Sequence, residues 1–191
     1  MRESPARCIK ELSSLPPCSE NDLITAKETL MDPEIALLLQ NIDLAYEKQA
    51  WHGPNLRGSL RGVTAEVAAW RPARGRHSIW EVVLHAAYWK YAVRRKLTGE
   101  KRGSFPINGS NWFERASSRN EKEWKEDLRL LGEMHAGMRE VIAAMQRKDL
   151  DAKTPGSKGT NVRTIIGIAA HDLYHAGQIQ LLKRLYQSKH G

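Results

Sequence analysis

Long apolar runs are missing from this chain. No stretch approaches the roughly 18 consecutive apolar residues that read as a membrane helix, so a membrane-spanning helix is not expected. Cysteine is scarce: Cys8 and Cys18 are the two present, and their spacing of ten fits no common zinc motif. The segment that holds them, MRESPARCIKELSSLPPCSEND, has no hydrophobic signal core. Export is therefore not expected, a cytoplasmic location is, and both cysteines read as free thiols because disulfides are rare there. Alternating strand patterns, a Gly-rich phosphate loop and internal repeats are also missing. Their absence removes β-sandwiches, nucleotide-binding α/β folds and solenoids from consideration.

Positive charge is abundant, with a formal net charge of +8 and a pI of about 9.6. The basic residues are spread along the chain instead of forming one stripe, and Arg94, Arg95 and Lys96 close an expected helix, where cations meet the negative end of its dipole. Solvated helix ends account for the charge better than a nucleic-acid surface, and no nucleic-acid motif is present. At 191 residues the chain suits one domain with a full core.

Helical periodicity dominates what remains. Residues 1–32 read as a partly irregular N-terminal extension marked by Pro16-Pro17, with room for a short helix over Leu23 to Leu30. Asp32-Pro33 then has the form of an N-cap followed by proline at the first helical position. From there Ile35, Leu38, Leu39, Ile42 and Tyr46 keep the helical period to Gln49-Ala50, until Trp51-His52-Gly53-Pro54 interrupts it; Leu56, Leu60 and Val63 resume it, so the first helix is either long and bent or two shorter pieces. Ser78-Ile79-Trp80-Glu81 is a capping box that opens a second helix running to about Leu97. A third runs from about Asn120 to Arg147, with Trp124, Leu131, Met138 and Met145 in its stripe and His135 at the edge as a half-exposed boundary residue. The fourth covers Asn161 to Tyr186. The connection from Thr98 to Ser118 carries Phe105, Trp112 and Phe113, so it is expected to pack on the body. About 20 residues of extended chain reach well over roughly 60 Å, enough to cross a bundle and leave helices two and three parallel. The expected fold is an all-α four-helix bundle over 33–187, up-down-down-up.

The chemistry concentrates in the last helix. His171 and His175 lie four apart, on one helical face with Cβ atoms about 5–6 Å from each other. A pair of histidines at this spacing arises by chance roughly one time in four at this histidine content, so the pair alone is a weak motif. Its setting strengthens it: Ile165, Ile168, Ala176, Ile179 and Leu182 make the helix broadly apolar, which places the imidazoles beside a core where each needs a partner. In the expected topology His85 reaches a depth of about 10 Å from the start of helix two and His175 about 16 Å from the same end. His85, His171 and His175 are thus candidate ligands of a divalent metal, three imidazoles with a position left open. Nickel, zinc, copper and iron all accept imidazole. His52, beside the kink, is a candidate acid/base or substrate contact, and Trp89, one turn below His85, a candidate pocket wall; packing alone also accounts for either. Glu81 could support His85 from behind, but the capping box explains it more simply.

These features together resemble the DinB/YfiT-like superfamily of four-helix bundles. Ser78-Ile79-Trp80-Glu81-Val82-Val83-Leu84-His85 and His171-Asp172-Leu173-Tyr174-His175-Ala176-Gly177-Gln178-Ile179 carry the likeness, with Trp51-His52-Gly53-Pro54 and Ala69-Trp70-Arg71-Pro72 in support. The resemblance covers roughly Pro33 to Tyr186. It implies an up-down-down-up bundle, often a homodimer, with a divalent metal (Ni, Zn or Fe) held by His85, His171 and His175. It further implies a small-molecule substrate and either S-transfer with a low-molecular-weight thiol or hydrolysis. A non-catalytic bundle pinned by metal or hydrogen bonds is the alternative.

Overall fold

In a computed structural model, which describes residues 31–103, 105–109, 111–114 and 120–191, every regular element is a helix. These are α1 (Pro33–Tyr46), α2 (Leu56–Ser59), α3 (Ala65–Ala69), α4 (Ile79–Thr98), α5 (Glu121–Ala143), α6 (Arg147–Leu150) and α7 (Asn161–His190). An isolated bridge between Lys153 and Thr160 is the nearest approach to a strand among the described residues. The helices belong to one compact unit, Asp32–Gly191. The expected extension over 1–32, with Cys8, Cys18 and the short helix over 23–30, falls outside the described residues, Met31 and Asp32 excepted.

The caps place the helices. Asp32 accepts from the Glu34 amide at 2.9 Å, and Pro33 follows it as the first helical residue. The anticipated box at the start of α4 is present: Glu81 N donates to Ser78 Oγ at 3.3 Å and Ser78 N to Glu81 Oε2 at 2.9 Å. Arg71 adds a bond to Glu81 Oε1 at 2.7 Å, so this carboxylate serves the cap and the preceding turn and not His85. At the other end Gly99, φ +75°, closes α4 in the left-handed conformation that glycine adopts without strain.

Two expected boundaries move. α1 stops at Tyr46 instead of running to Ala50, because the Glu47 and Lys48 amides both turn back to the Asp43 carbonyl at 2.9 and 2.8 Å. Asn55 consolidates the break: its side chain takes the Lys48 carbonyl at 2.6 Å and caps α2 by accepting from Gly58 N at 2.7 Å. The third expected helix ends at Ala143 instead of about Arg147, and a separate turn, α6, begins the expected loop, where Asp149 accepts from the Gln146 amide at 2.8 Å.

Contacts between helices give their registry. Trp80 and Trp124, each near the start of its helix, are buried with ring centroids 5.2 Å apart. Trp80 Nε1 also donates to Asp127 at 2.7 Å. Farther along the same pair of helices, a Cβ on Gly137 would lie 3.5 Å from the Arg94 side chain. α4 meets α7 through His85 with His171 and through Lys90 with Asp172. α1 meets α5 where Asp43 takes Arg139 at 2.8 and 3.0 Å and Tyr46 stacks on His135 at 3.6 Å. The segment after α4 does pack on the body, with Phe105 and Phe113 against Tyr88 at 5.4 and 5.5 Å.

His135 corrects the sequence reading. It is 3% exposed instead of half-exposed, because the Tyr46 ring covers it, and neither ring nitrogen has a hydrogen-bond partner among the described residues. Burial, with Lys90 nearby, pushes this imidazole down to about 3. An unfolded chain protonates it near pH 6.5, so the unfolded state binds the proton first. Stability is whole above that pH and falls as pH drops from there toward 3. A His135→Phe variant, which keeps the ring stack, is expected to lose less: at pH 5 the wild type gives up about 2 kcal/mol more than the variant relative to pH 7.5. Urea unfolding of both proteins at the two pH values checks it, and parallel losses would refute it.

Candidate metal centre

Three imidazoles converge between α4 and α7. His171 Nε2 lies 3.1 Å from His85 Nε2 and 3.0 Å from His175 Nε2, and one ligand atom from each ring fits within 4.8 Å of the others. Around one tetrahedral ion with metal–nitrogen bonds of roughly 2.0–2.1 Å, neighbouring nitrogens stand about 3.3 Å apart. The separations found are therefore close to those that one shared ion requires. The two α7 histidines share a face as i and i+4, and His85 sits two turns into α4 at the same level.

Hydrogen bonds behind the rings aim them. His85 Nδ1 donates to the Asn111 carbonyl at 2.8 Å; a carbonyl only accepts, so the proton is on Nδ1 and the Nε2 lone pair faces inward. His175 Nδ1 does the same toward Gln178 Oε1 at 2.6 Å. His171 Nδ1 is buried with no partner among the described residues. Its Nε2, with at most one proton, faces two nitrogens that both present lone pairs. A cation at the common point satisfies all three, which a single N–H cannot do.

The electrostatics agree with a metal role. Burial, followed by the two neighbouring imidazoles, pushes His171 down to about 3. Burial pushes His175 down to about 4 against the opposing Gln178 bond, and it lowers His85 as well. All three rings are neutral at pH 7, the form that binds metal.

Some of the supporting residues escaped the sequence reading. Asn111 has φ +67°, a left-handed conformation that asparagine tolerates better than most residues, and this turns its carbonyl toward His85. Its side chain also accepts from Trp89 Nε1 at 3.0 Å. Next to it, Trp112 stacks on His85 at 3.9 Å and on His77 at 3.6 Å, a three-ring pile. Beneath the site, Lys90 and Asp172 form a fully buried ion pair. Burial pushes the Asp172 carboxyl up and the Lys90 ammonium down, each charge opposing the other's shift.

A cavity of about 860 Å³ opens onto the three histidines, with Trp89, Trp112, Val82, Leu181 and Leu182 among its walls and Arg76 and His77 at its edge. Trp89 thus stands where a pocket wall was expected. His52 is not brought to this cavity: the early end of α1 leaves it exposed on the turn beside Trp51, itself 99% exposed.

Gln178 offers a direct check on the ring geometry. Partners behind a ligating histidine typically contribute 10–100-fold in metal affinity. Gln178→Ala is expected to weaken zinc binding by about tenfold or more by that rule. Calorimetric titration of the metal-free protein measures it; unchanged affinity would mean that the His175 ring needs no acceptor behind it.

A helical protein with three neutral histidines converging under an apolar cavity belongs to the class of candidate metal-binding helical proteins. The chain matches the family model of the DinB superfamily over residues 49–179, a span that contains all three histidines, and it belongs to that superfamily. Comparison with curated proteins found no match, and neither did comparison with solved structures. No helix among the described residues is long and apolar enough to cross a membrane.

Proposed function

We infer that the chain is a metal-dependent enzyme in which His85, His171 and His175 hold one divalent ion and the cavity above them takes a small molecule. The observation that carries this reading is the convergence of three Nε2 atoms, two of them aimed by acceptors behind the rings. The supporting frame is an up-down-down-up bundle of α1, α4, α5 and α7. Trp80 with Trp124 and Arg94 with Gly137 support parallel α4 and α5. His85 with His175 and Lys90 with Asp172 support antiparallel α4 and α7. Tyr46 with His135 and Asp43 with Arg139 support antiparallel α1 and α5.

Between S-transfer and hydrolysis, the wall residues favour S-transfer. Among the described residues the lining carries no carboxylate, and His77, its one histidine outside the proposed ligand set, is stacked on Trp112 and lies 3.5 Å from the Glu81 carboxylate, which leaves no free base over the centre. A divalent ion supplies a lowered pKa to a coordinated thiol, so that a low-molecular-weight thiol is presented as thiolate near pH 7. The chain's own residues then hold the electrophile: Trp89, Trp112 and the leucines exclude water from it and orient it toward the three histidines. Nickel, zinc and iron all suit an all-imidazole ligand set.

Elemental analysis of the purified protein beside a His85→Ala, His171→Ala double variant tests the centre. About one ion per chain in the wild type and none in the variant is expected; equal metal content in both would remove it. Loss of thiol-conjugating activity in the same variant tests the chemistry. A metal-loaded wild type that conjugates no thiol to any electrophile in a broad panel would reduce the centre to a structural pin between α4 and α7.

A further inference from the structure

The cavity over the histidines has an uneven lip. Large apolar side chains are left in solvent around it: Tyr174 is 64% exposed, Leu181 59% and Leu185 40%. Half of the large hydrophobic residues that are exposed among the described residues therefore border this one opening, the others being Leu37, Trp51 and Ile166. Exposed apolar surface gathered around a concave site marks a place where apolar matter binds. Pro72, Ala73, Val82 and Leu182 continue the same surface inward.

One cation breaks this apolar ring. Arg76 lines the cavity edge, is exposed, and has no acidic partner among the described residues. Its neighbours differ: Arg71 is bound to Glu81 at 2.6 Å, and His77 lies 3.5 Å from the same carboxylate. The Arg76 backbone is pinned by its amide on Ala73 O at 3.2 Å and by Arg71 donating to its carbonyl at 2.6 Å. A guanidinium carried on a held backbone at the mouth of an apolar cavity, with no acidic partner among the described residues, is a fork for a carboxylate or a similar oxyanion. Arg76 lies just before α4, and His85 is six positions into it, so their backbones are on the order of 10 Å apart.

We propose that this site takes an elongated amphiphilic anion: a molecule about 10 Å long, with an apolar body against the Trp89, Trp112 and leucine walls and an anionic end on Arg76. The reading rests on the metal centre for the opposite end, where the reactive group of the molecule meets the three histidines. Arg76 is then the residue that selects acids over neutral molecules of the same length. The body accounts for most of the affinity, and the exposed ion pair contributes a smaller, salt-sensitive share.

The test uses zinc-loaded full-length protein and two probes that differ at one end, ω-mercapto-octanoate and octanethiol, with binding measured by calorimetry. The acid is expected to bind about fivefold more tightly at low salt, a ratio in the range of one exposed ion pair. Arg76→Gln is expected to abolish that ratio while leaving octanethiol unchanged, and raising the salt is expected to shrink it in the wild type. Equal affinity of the wild type for both probes, or an undiminished ratio in Arg76→Gln, would overturn the assignment. Zinc content measured on the same samples separates the two readings. A chain that holds no zinc yet keeps the Arg76-dependent ratio overturns the metal centre alone. A chain that holds zinc and shows no ratio overturns the anion assignment alone.

Discussion

Restoring a divalent metal to chelated protein is expected to raise its unfolding midpoint by roughly 8–16 °C. A ligand that binds only the folded state at about 1,000 times its dissociation constant adds about 4.1 kcal/mol. In a chain of this size each kcal/mol moves the midpoint by about 2–4 °C. The folded state alone assembles the proposed site, because one candidate ligand comes from α4 and two from α7, 86 residues apart between His85 and His171. His85→Ala leaves only the pair on α7, which no longer ties that helix to its neighbour, so the metal-dependent rise should nearly vanish. Thermal melts of wild type and variant, with chelator and with added zinc, measure both. An equal rise in the two proteins would place the bound metal elsewhere.

The second large effect lies beneath the site. Lys90 is 0% exposed and Asp172 1%; they bond to each other, and Lys90 Nζ also sits 4.9 Å from the centroid of the Tyr46 ring. Removing one member of a buried pair leaves a charge with neither solvent nor partner, at a cost of about 3–5 kcal/mol. Lys90→Met should therefore lower the urea-unfolding free energy by about that much. Replacing both partners by apolar groups is often neutral or stabilising, so Lys90→Met with Asp172→Leu should recover most of the loss. Asp172 adjoins His171 in the chain, and the pair lies in the seam between α4 and α7. The double variant thus also separates stability from metal binding: it is expected to regain its fold while the register of the α7 histidines is no longer set by an ion pair. If the double variant were as unstable as the single one, the two charges would not be coupled.

Much of this was legible in the sequence where local rules act. The capping box at Ser78 and Glu81, the Asp32-Pro33 start and the i, i+4 histidines are short-range patterns, and each is present. The meeting of His85 with the α7 pair was only approached from the sequence: constant helix rise put the two at about 10 and 16 Å from one end, and an assumed topology brought the helices together. What stayed hidden depends on contacts distant in sequence or on single turns. Nothing near His135 announces that Tyr46, 89 positions earlier, will cover it. Nothing near Lys90 says that its partner is Asp172, because a lysine within an apolar stripe ordinarily reaches for solvent. Asn111 acts through its carbonyl, which every residue has, so only its left-handed φ sets it apart. His52 stays away from the cavity for a local reason: the period through Gln49-Ala50 is genuine in sequence, but the Lys48 and Glu47 amides turn back before it is used.

The pile of His77, Trp112 and His85 gives the protein a built-in optical gauge. The indole of Trp112 lies face to face with the ring of His85, a candidate ligand, at 3.9 Å, close enough for a bound ion to affect its excited state. Were an open-shell ion such as copper(II) held there, it would quench the Trp112 share of the emission of the six tryptophans and zinc would not, so open-shell and closed-shell ions could be told apart with light, without a label and without consuming the sample.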